Sequence, residues 1–500
     1  MALSIHIERD TLRRTLARSV VLACVILLLL GEVTTAGAVK RETVMQRSQR
    51  WVDLKVPYSQ SKYFEGYRTD CSGFVSMSWQ LTGVSGAPIS PATDTLPRRG
   101  VLVAKNRLLP GDMIVRPKTA TTGGHAVIFG GWADASRATY WAFEQSGSHG
   151  GARVRQTPYP YWPSPGLPYT PYRYTNITEE YRHIQRIAGA TRYSTSVAAS
   201  KAAFPDPAAV HTVVLATRED WPDALGGGAL AGVTRGPVLL TKGAGVPASV
   251  IKELKRLSPK RILVIGGPLA ISDDVLAQLK TEGFKGVERI WGQTRYDTAA
   301  VVAARVVTET VAAGGSFDGT VYIATGELFN DALAVSPVAV HRGRPVLLVR
   351  KDAIPESTAA ALAEIGATRA LMIGGELAIS AATQNAIVSS GVPVTRIWGA
   401  DRYRTAIEVA AHGVSEGLTR TKAGLATGAD FPDALVAGTA LGQSSPPAVL
   451  YLTPPTGVTP HLYSALGSSR AQIGTVRVYG GPLALPDQVL AEASAAMRGW

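Results

Sequence analysis

Short β-branched apolar runs alternate with longer helix-spaced segments over the last two thirds of the chain. T-V-V-L-A-T (Thr212–Thr217) has the length and composition of a buried strand. An Ala/Leu-rich helix follows, opened by a Pro-Asp pair whose Asp223 stands near the helix start. P-V-L-L-T (Pro237–Thr241) predicts a second strand, and residues 247–257 have helical spacing. R-I-L-V-I-G-G (Arg261–Gly267) predicts a third strand ending in a Gly-Gly turn. From Ser272 another helix begins, with two aspartates at its head. Strands alternating with helices predict a mostly parallel sheet covered on both faces.

This pattern occurs three times. R-I-A-G-A-T-R-Y-S-T-S (Arg186–Ser196) returns as R-I-W-G-Q-T-R-Y-D-T-A (Arg289–Ala299) and as R-I-W-G-A-D-R-Y-R-T-A (Arg396–Ala406). W-P-D-A-L (Trp221–Leu225) returns as F-N-D-A-L and F-P-D-A-L. V-I-G-G-P-L-A-I-S (Val264–Ser272) returns from Met372 and from Val478. The order is constant and the period is about a hundred residues, the size of a small domain. We divide the region at 183–286, 287–394 and 395–500. The Gly-Gly turns lack the spacing of a dinucleotide or P-loop site. Arg192, Arg295 and Arg402 each follow a glycine by three residues at a helix start. A guanidinium there can fork onto a phosphate or carboxylate of a polymer, or pair with the Asp of the P-D-A-L segment and tie modules together.

Residues 42–178 share nothing with the repeats. T-D-C-S-G-F-V-S-M-S-W (Thr69–Trp79) holds Cys71, one of two cysteines, and predicts a helix starting at Cys71 with Asp70 as its cap. A Pro-Gly-Asp turn follows at 110–112. His125 then opens the apolar strand G-H-A-V-I-F-G-G-W, and Glu144 lies on the next strand-like run. Cysteine, histidine and acid on separate elements suit nucleophilic catalysis: imidazole takes the thiol proton, a third polar group fixes the ring, and a helix N-terminus supplies N–H groups for an oxyanion. The Pro/Tyr-rich stretch 155–182 reads as loop and linker.

Composition adds a compartment. Four arginines, the apolar run Val20–Leu30 and Ala36-Gly37-Ala38 together predict a signal peptide over residues 1–38, with an uncleaved anchor as the alternative. After cleavage Cys24 is gone, Cys71 is the single thiol, and no stable membrane span is expected. The chain is basic, with 51 Lys+Arg against 38 Asp+Glu. That balance suits anionic wall polymers. No zinc-finger spacing, RNA-binding signature or dense basic tract points to nucleic acid.

The three copies resemble the cell wall-binding repeat type 2 family of Gram-positive surface proteins. The resemblance implies α/β modules about a pseudo-threefold axis and non-covalent attachment to an anionic secondary wall polymer. It also links an aliphatic triplet to polymer binding. Val238-Leu239-Leu240 and Val346-Leu347-Leu348 match that triplet, while Val449-Leu450-Tyr451 departs from it. Read by themselves, these residues are strand core. D-C-S-G-F-V, P-G-D and G-H-A-V-I-F-G resemble the NlpC-type cysteine peptidases, which implies an α+β papain-like domain cutting peptidoglycan stem peptides without metal or cofactor. Carried over, Cys71 is the nucleophile, His125 the base, and Glu144 holds the place of the third polar residue, with His149 as the alternative. Tyr58, in a matching proline-tyrosine pair, together with Asp70 and Ser72, would support the oxyanion and substrate. The Trp-Gly-Gly that often follows that pair is missing. The expectation is a secreted cell-wall cysteine peptidase or amidase. The alternative is a surface adhesion protein with an inactive papain-like head.

Overall fold

The computed structural model describes residues 38–498 except 134–135, 164–166, 179–182, 218–220 and 330. The expected leader, with Cys24, lies outside the described residues, apart from Ala38. Among the described residues no helix is long and apolar enough to cross a membrane.

The N-terminal unit is an antiparallel sheet backed by two helices, α1 (Arg41–Asp53) and α2 (Cys71–Ser78). Its strands are β1 (Gly100–Leu102), β2 (Met113–Arg116), β3 (His125–Trp132), β4 (Thr139–Ser146), β5 (Gly151–Pro158) and β6 (Thr170–Tyr174). Their spatial order is β1-β6-β2-β3-β4-β5. Helix α2, of small and apolar residues, is wholly buried and packs against α1 and β3. Trp51, Phe74, Trp79 and Met113 form the centre of that core. The Trp79 indole stacks on Tyr174 at 5.1 Å and donates to the Gly111 carbonyl at 2.9 Å. Asp112, the acid of the Pro-Gly-Asp turn, is fully buried. It accepts from Arg41 at 3.0 Å, Arg173 at 2.8 Å and the Leu109 N–H at 2.9 Å. A buried charge persists only when paired in this way. Val39–Lys40 pairs with Ile177–Thr178, so the two ends of the unit are joined.

The repeat region contains three four-stranded parallel sheets. Repeat and sheet are out of step by one strand. The R-I-x-G strand heading the second copy (Val287–Ile290) completes the first sheet, and that of the third copy (Val394–Ile397) completes the second. The strand of the first copy (Ile184–Ile187) has no earlier sheet to join. It pairs with Val476–Tyr479 in the last sheet, which closes the region into a ring. The R-I-x-G arginines staple each joint. Arg186 donates to the carbonyls of Gly480 and Leu485, Arg289 to Gly266 and Ile271, and Arg396 to Gly374 and Ile379, all at 2.7–3.0 Å. Gly266, Gly374 and Gly480 take φ of +127°, +111° and +116°, a region that side-chain-bearing residues avoid.

The helices that follow the P-D-A-L segments meet at the centre of the ring. Trp221–Val233, Ser336–Arg342 and Pro432–Gly442 pack against one another in pairs. Glycines permit the approach: a Cβ on Gly438 would lie 2.3 Å from the Ser336 Cβ, and one on Gly442 2.5 Å from the Pro337 carbonyl. In the second copy the segment begins as a 3-10 turn (Ala332–Val335), and the α-helix restarts at Ser336. Pro337 has no N–H with which to continue an earlier α-ladder. The aliphatic triplets are sheet core: Val238–Leu240, Val346–Leu348 and Val449–Tyr451 are all buried.

Candidate active site

Asp70 shapes the start of α2. Its Oδ1 accepts from the Gly73 N–H at 2.7 Å, as an N-cap does, and its Oδ2 pairs with Arg68 at 2.5 Å. Ser72 Oγ lies between them, donating to Asp70 at 3.1 Å and accepting from Arg68 at 2.7 Å. The Ser72 side chain thus secures the Arg68–Asp70 pair. Cys71, at the first turn, is buried but borders an open cleft of about 550 Å³. Tyr58, Arg68, Asp70, Lys118 and the 119–124 loop line the same cleft.

His125 starts β3 opposite α2. Its Nε2 lies 2.9 Å from Glu144 Oε2. A carboxylate only accepts, so Nε2 carries the hydrogen and Nδ1 is left for Cys71. Burial disfavours the charged ring, but its hydrogen bonds to Cys71 and Glu144 and their charges outweigh it. The His125 pKa is raised to about 9. Burial alone would raise Glu144. His125, Tyr161 and Arg153 reverse that and hold the carboxyl at about 2. The imidazole thus interacts with both Cys71 and Glu144.

Glu144 has further partners that the sequence reading missed. Oε1 accepts from Arg153 Nε and Nη2 at 2.8 and 2.7 Å and from Arg155 Nε at 2.8 Å. Oε2 accepts from the Tyr161 hydroxyl, which also lies 3.1 Å from His125 Nε2 and accepts from Arg155 at 2.7 Å. The Tyr161 ring leans on the imidazole, with centroids 5.2 Å apart, and Tyr169 packs against both. The Pro/Tyr-rich stretch therefore forms one wall of the histidine site. The signal for the arginines was present: R-V-R on a strand places Arg153 and Arg155 on one face, and Arg153 is the cross-strand partner of Glu144. His149 lies on an exposed turn, bonded to Ser148, and Glu144 holds the place beside the ring.

The three repeat arginines stand at the first turns of their helices. Arg192 pairs with Asp430 at 3.2 Å, Arg295 donates to the Gly326 carbonyl at 2.8 Å, and Arg402 to the Gly428 carbonyl at 2.9 Å. Arg402 also stands near the P-D-A-L carboxyl of Asp331, and Arg192 near that of Asp433. Of the bonded contacts only Arg192–Asp430 joins two copies; the carbonyls bound by Arg295 and Arg402 belong to their own copies. The Asp223 side chain lies outside the described set.

The family model for cell wall binding domain 2 matches residues 186–276, 289–384 and 396–490, more than half of the chain. The chain belongs to the CWB2 family. Two Bacillus subtilis (strain 168) proteins are similar to it. The amidase enhancer is 32% identical over 268 residues, covering 53% of this chain and 34% of that protein. The N-acetylmuramoyl-L-alanine amidase LytC is 29% identical, covering 53% of this chain and 50% of its own. The chain thus spans a third to a half of the length of these relatives. Among solved structures, Cwp6 from Clostridium difficile superposes with a TM-score of 0.55 at 21% identity, covering 77% of this chain and 63% of that one. Cwp8 gives 0.54 at 21%, covering 64% and 52%. This likeness shows a shared fold. Three CWB2 repeats make the chain a cell-wall-associated protein.

Proposed function

We propose that the N-terminal unit is a papain-like cysteine hydrolase that cleaves an amide bond of peptidoglycan stem peptides, held on the wall by the CWB2 ring. The observation that carries this reading is the interaction of His125 with both Cys71, which borders the cleft, and Glu144 behind the ring. His125 Nδ1 takes the thiol proton, and the sulfur attacks the carbonyl carbon. The N–H groups of Cys71 and Ser72, at the open first turn of α2, face the developing oxyanion. Imidazolium then protonates the leaving amine as the C–N bond breaks. Water, deprotonated by the same imidazole, releases the acyl group and restores the thiol. Glu144 keeps the ring oriented, and Tyr58 borders the cleft beside Cys71. No step requires a metal or cofactor. The kinship with an amidase and an amidase enhancer agrees with a peptidoglycan substrate, and the excess of basic residues agrees with an anionic secondary polymer as anchor.

The test is a digestion. Residues 39–500, wild type and Cys71→Ala, are incubated with peptidoglycan sacculi, and released fragments are read by mass spectrometry. Peptide fragments from wild type alone are expected, and their termini name the bond. Equal release by both proteins, or none from either while both are folded and wall-bound, refutes the reading.

A further inference from the structure

The three seams of the ring are alike in sequence but differ in what fills them. At two of them an indole covers the second glycine of the Gly-Gly turn. A Cβ on Gly267 would lie 2.8 Å from the Trp291 ring, and one on Gly375 3.4 Å from the Trp398 ring. The corresponding residue at the third seam is Ala188. There the nearest atom to a Cβ on Gly481 is the Gly189 carbonyl, at 3.8 Å. Gly481 lines an open cleft of about 620 Å³ between the first and last modules. An aromatic side chain carries roughly 150–250 Å² of surface. Its replacement by a methyl leaves space for a ring of comparable size.

The walls of this cleft select a chemistry. Asp433 and Asp430 lie on one side, with Arg192 paired to Asp430. Two carboxyls facing one guanidinium disfavour a phosphate or carboxylate ligand. They present acceptors to hydroxyl or amino hydrogens. Burial, and then the charge of Asp430, raises the Asp433 carboxyl to about 6 in spite of the nearby Arg192. The rim is apolar, with Pro455, Pro482 and a fully exposed Leu483, and suits the C–H face of a pyranose.

We propose that this seam binds a hydroxyl- or amino-bearing sugar residue of the wall glycan, seated where tryptophan stands at the other two. The proposal rests on the wall-binding reading and narrows it. The anionic groups of the polymer fall to the basic surface elsewhere, and this cleft supplies the part of the binding that salt does not screen.

The experiment is co-sedimentation of residues 39–500 with purified Gram-positive cell walls across a salt series. Ala188→Trp is expected to fill the cleft and weaken the salt-resistant binding by about tenfold. Leu483→Ser is expected to weaken it in the same direction without threatening the fold, because that side chain is wholly exposed. Wild-type affinity in a folded Ala188→Trp protein overturns the proposal. If that variant does not fold, unchanged binding by Leu483→Ser overturns it. So does a loss confined to low salt. Failure of the wild type to sediment at any salt rejects wall anchoring itself, a distinguishable result.

Discussion

Replacing Glu144 with glutamine tests the site most sharply, because that carboxylate serves two tasks. It is fully buried and is held at about 2 instead of the ordinary 4.5. At about 1.4 kcal/mol per pKa unit, that difference corresponds to about 3 kcal/mol of stability at neutral pH. The sign follows from the depressed value. The contribution is complete above the unfolded-state pKa and is lost as pH falls from about 4.5 towards 2. The raised pKa of His125 reflects largely the same interaction seen from the other partner and is not added. Glutamine keeps one acceptor oxygen and turns the other into a donor, while donors approach both positions: Arg153 and Arg155 on Oε1, His125 and Tyr161 on Oε2. Breaking one partner of a buried ion pair costs roughly 3–5 kcal/mol, which agrees. Glu144→Gln should therefore lower the melting temperature of the N-terminal unit by roughly 6–12 °C at pH 7, using about 2–4 °C per kcal/mol. The difference from wild type should shrink as pH approaches 3. Thermal melts followed by circular dichroism at pH 7 and pH 3 provide the assay. Without the carboxylate, the alkaline limb of the pH–rate profile for fragment release should move to lower pH, because Glu144 helps raise the pKa of His125. A melting temperature within about 2 °C of wild type at pH 7 would refute the electrostatic account of this site.

Two further perturbations separate positioning from packing. Tyr161→Phe keeps the ring against the imidazole but removes the hydroxyl that bridges Glu144 and His125. It should lower kcat by roughly tenfold with KM little changed and shift the pH–rate profile, as expected for a group that orients the base. A changed KM with an unmoved profile would reject that role. Gly438→Val places side-chain carbon into Ser336 of the neighbouring module. It should destabilise the repeat region by at least about 1–3 kcal/mol in urea titration while leaving the N-terminal unit unaffected.

Features with a local cause were legible in the sequence. Asp70 caps α2 because an acid precedes a helix start, and Cys71, His125 and Glu144 fall on the elements predicted from apolar patterning. Glu144 was legible only by its place in the chain. The arginines and tyrosine that surround it come from the next strand and from a proline-rich stretch, and they required the β4–β5 register to be known. Among the repeat arginines, those beside the helix starts carry the clearer mark in the sequence. Those of the R-I-x-G strands proved to be the staples, because their partners are backbone carbonyls that leave no mark in a sequence. The one-strand offset between repeat and sheet was hidden for a related reason. A periodic sequence looks the same wherever its period is cut, and only strand pairing shows where each unit ends.

That offset constrains how the chain is made. Arg186 and its carbonyl partner on Gly480 are 294 residues apart, so the last sheet stays unfinished until almost the whole repeat region has emerged. The entropy of closing so long a loop grows only slowly with length, but distant pairing makes folding slow. Until then Ile184–Ile187 waits without its partner, and as long as the two have not met Val476–Tyr479 presents an open edge that the corresponding strand of another chain could occupy. A copy shortened by its first strand would carry that open edge permanently. Loss of a few residues near position 184 would thus turn a self-contained ring into a subunit that recruits its neighbours.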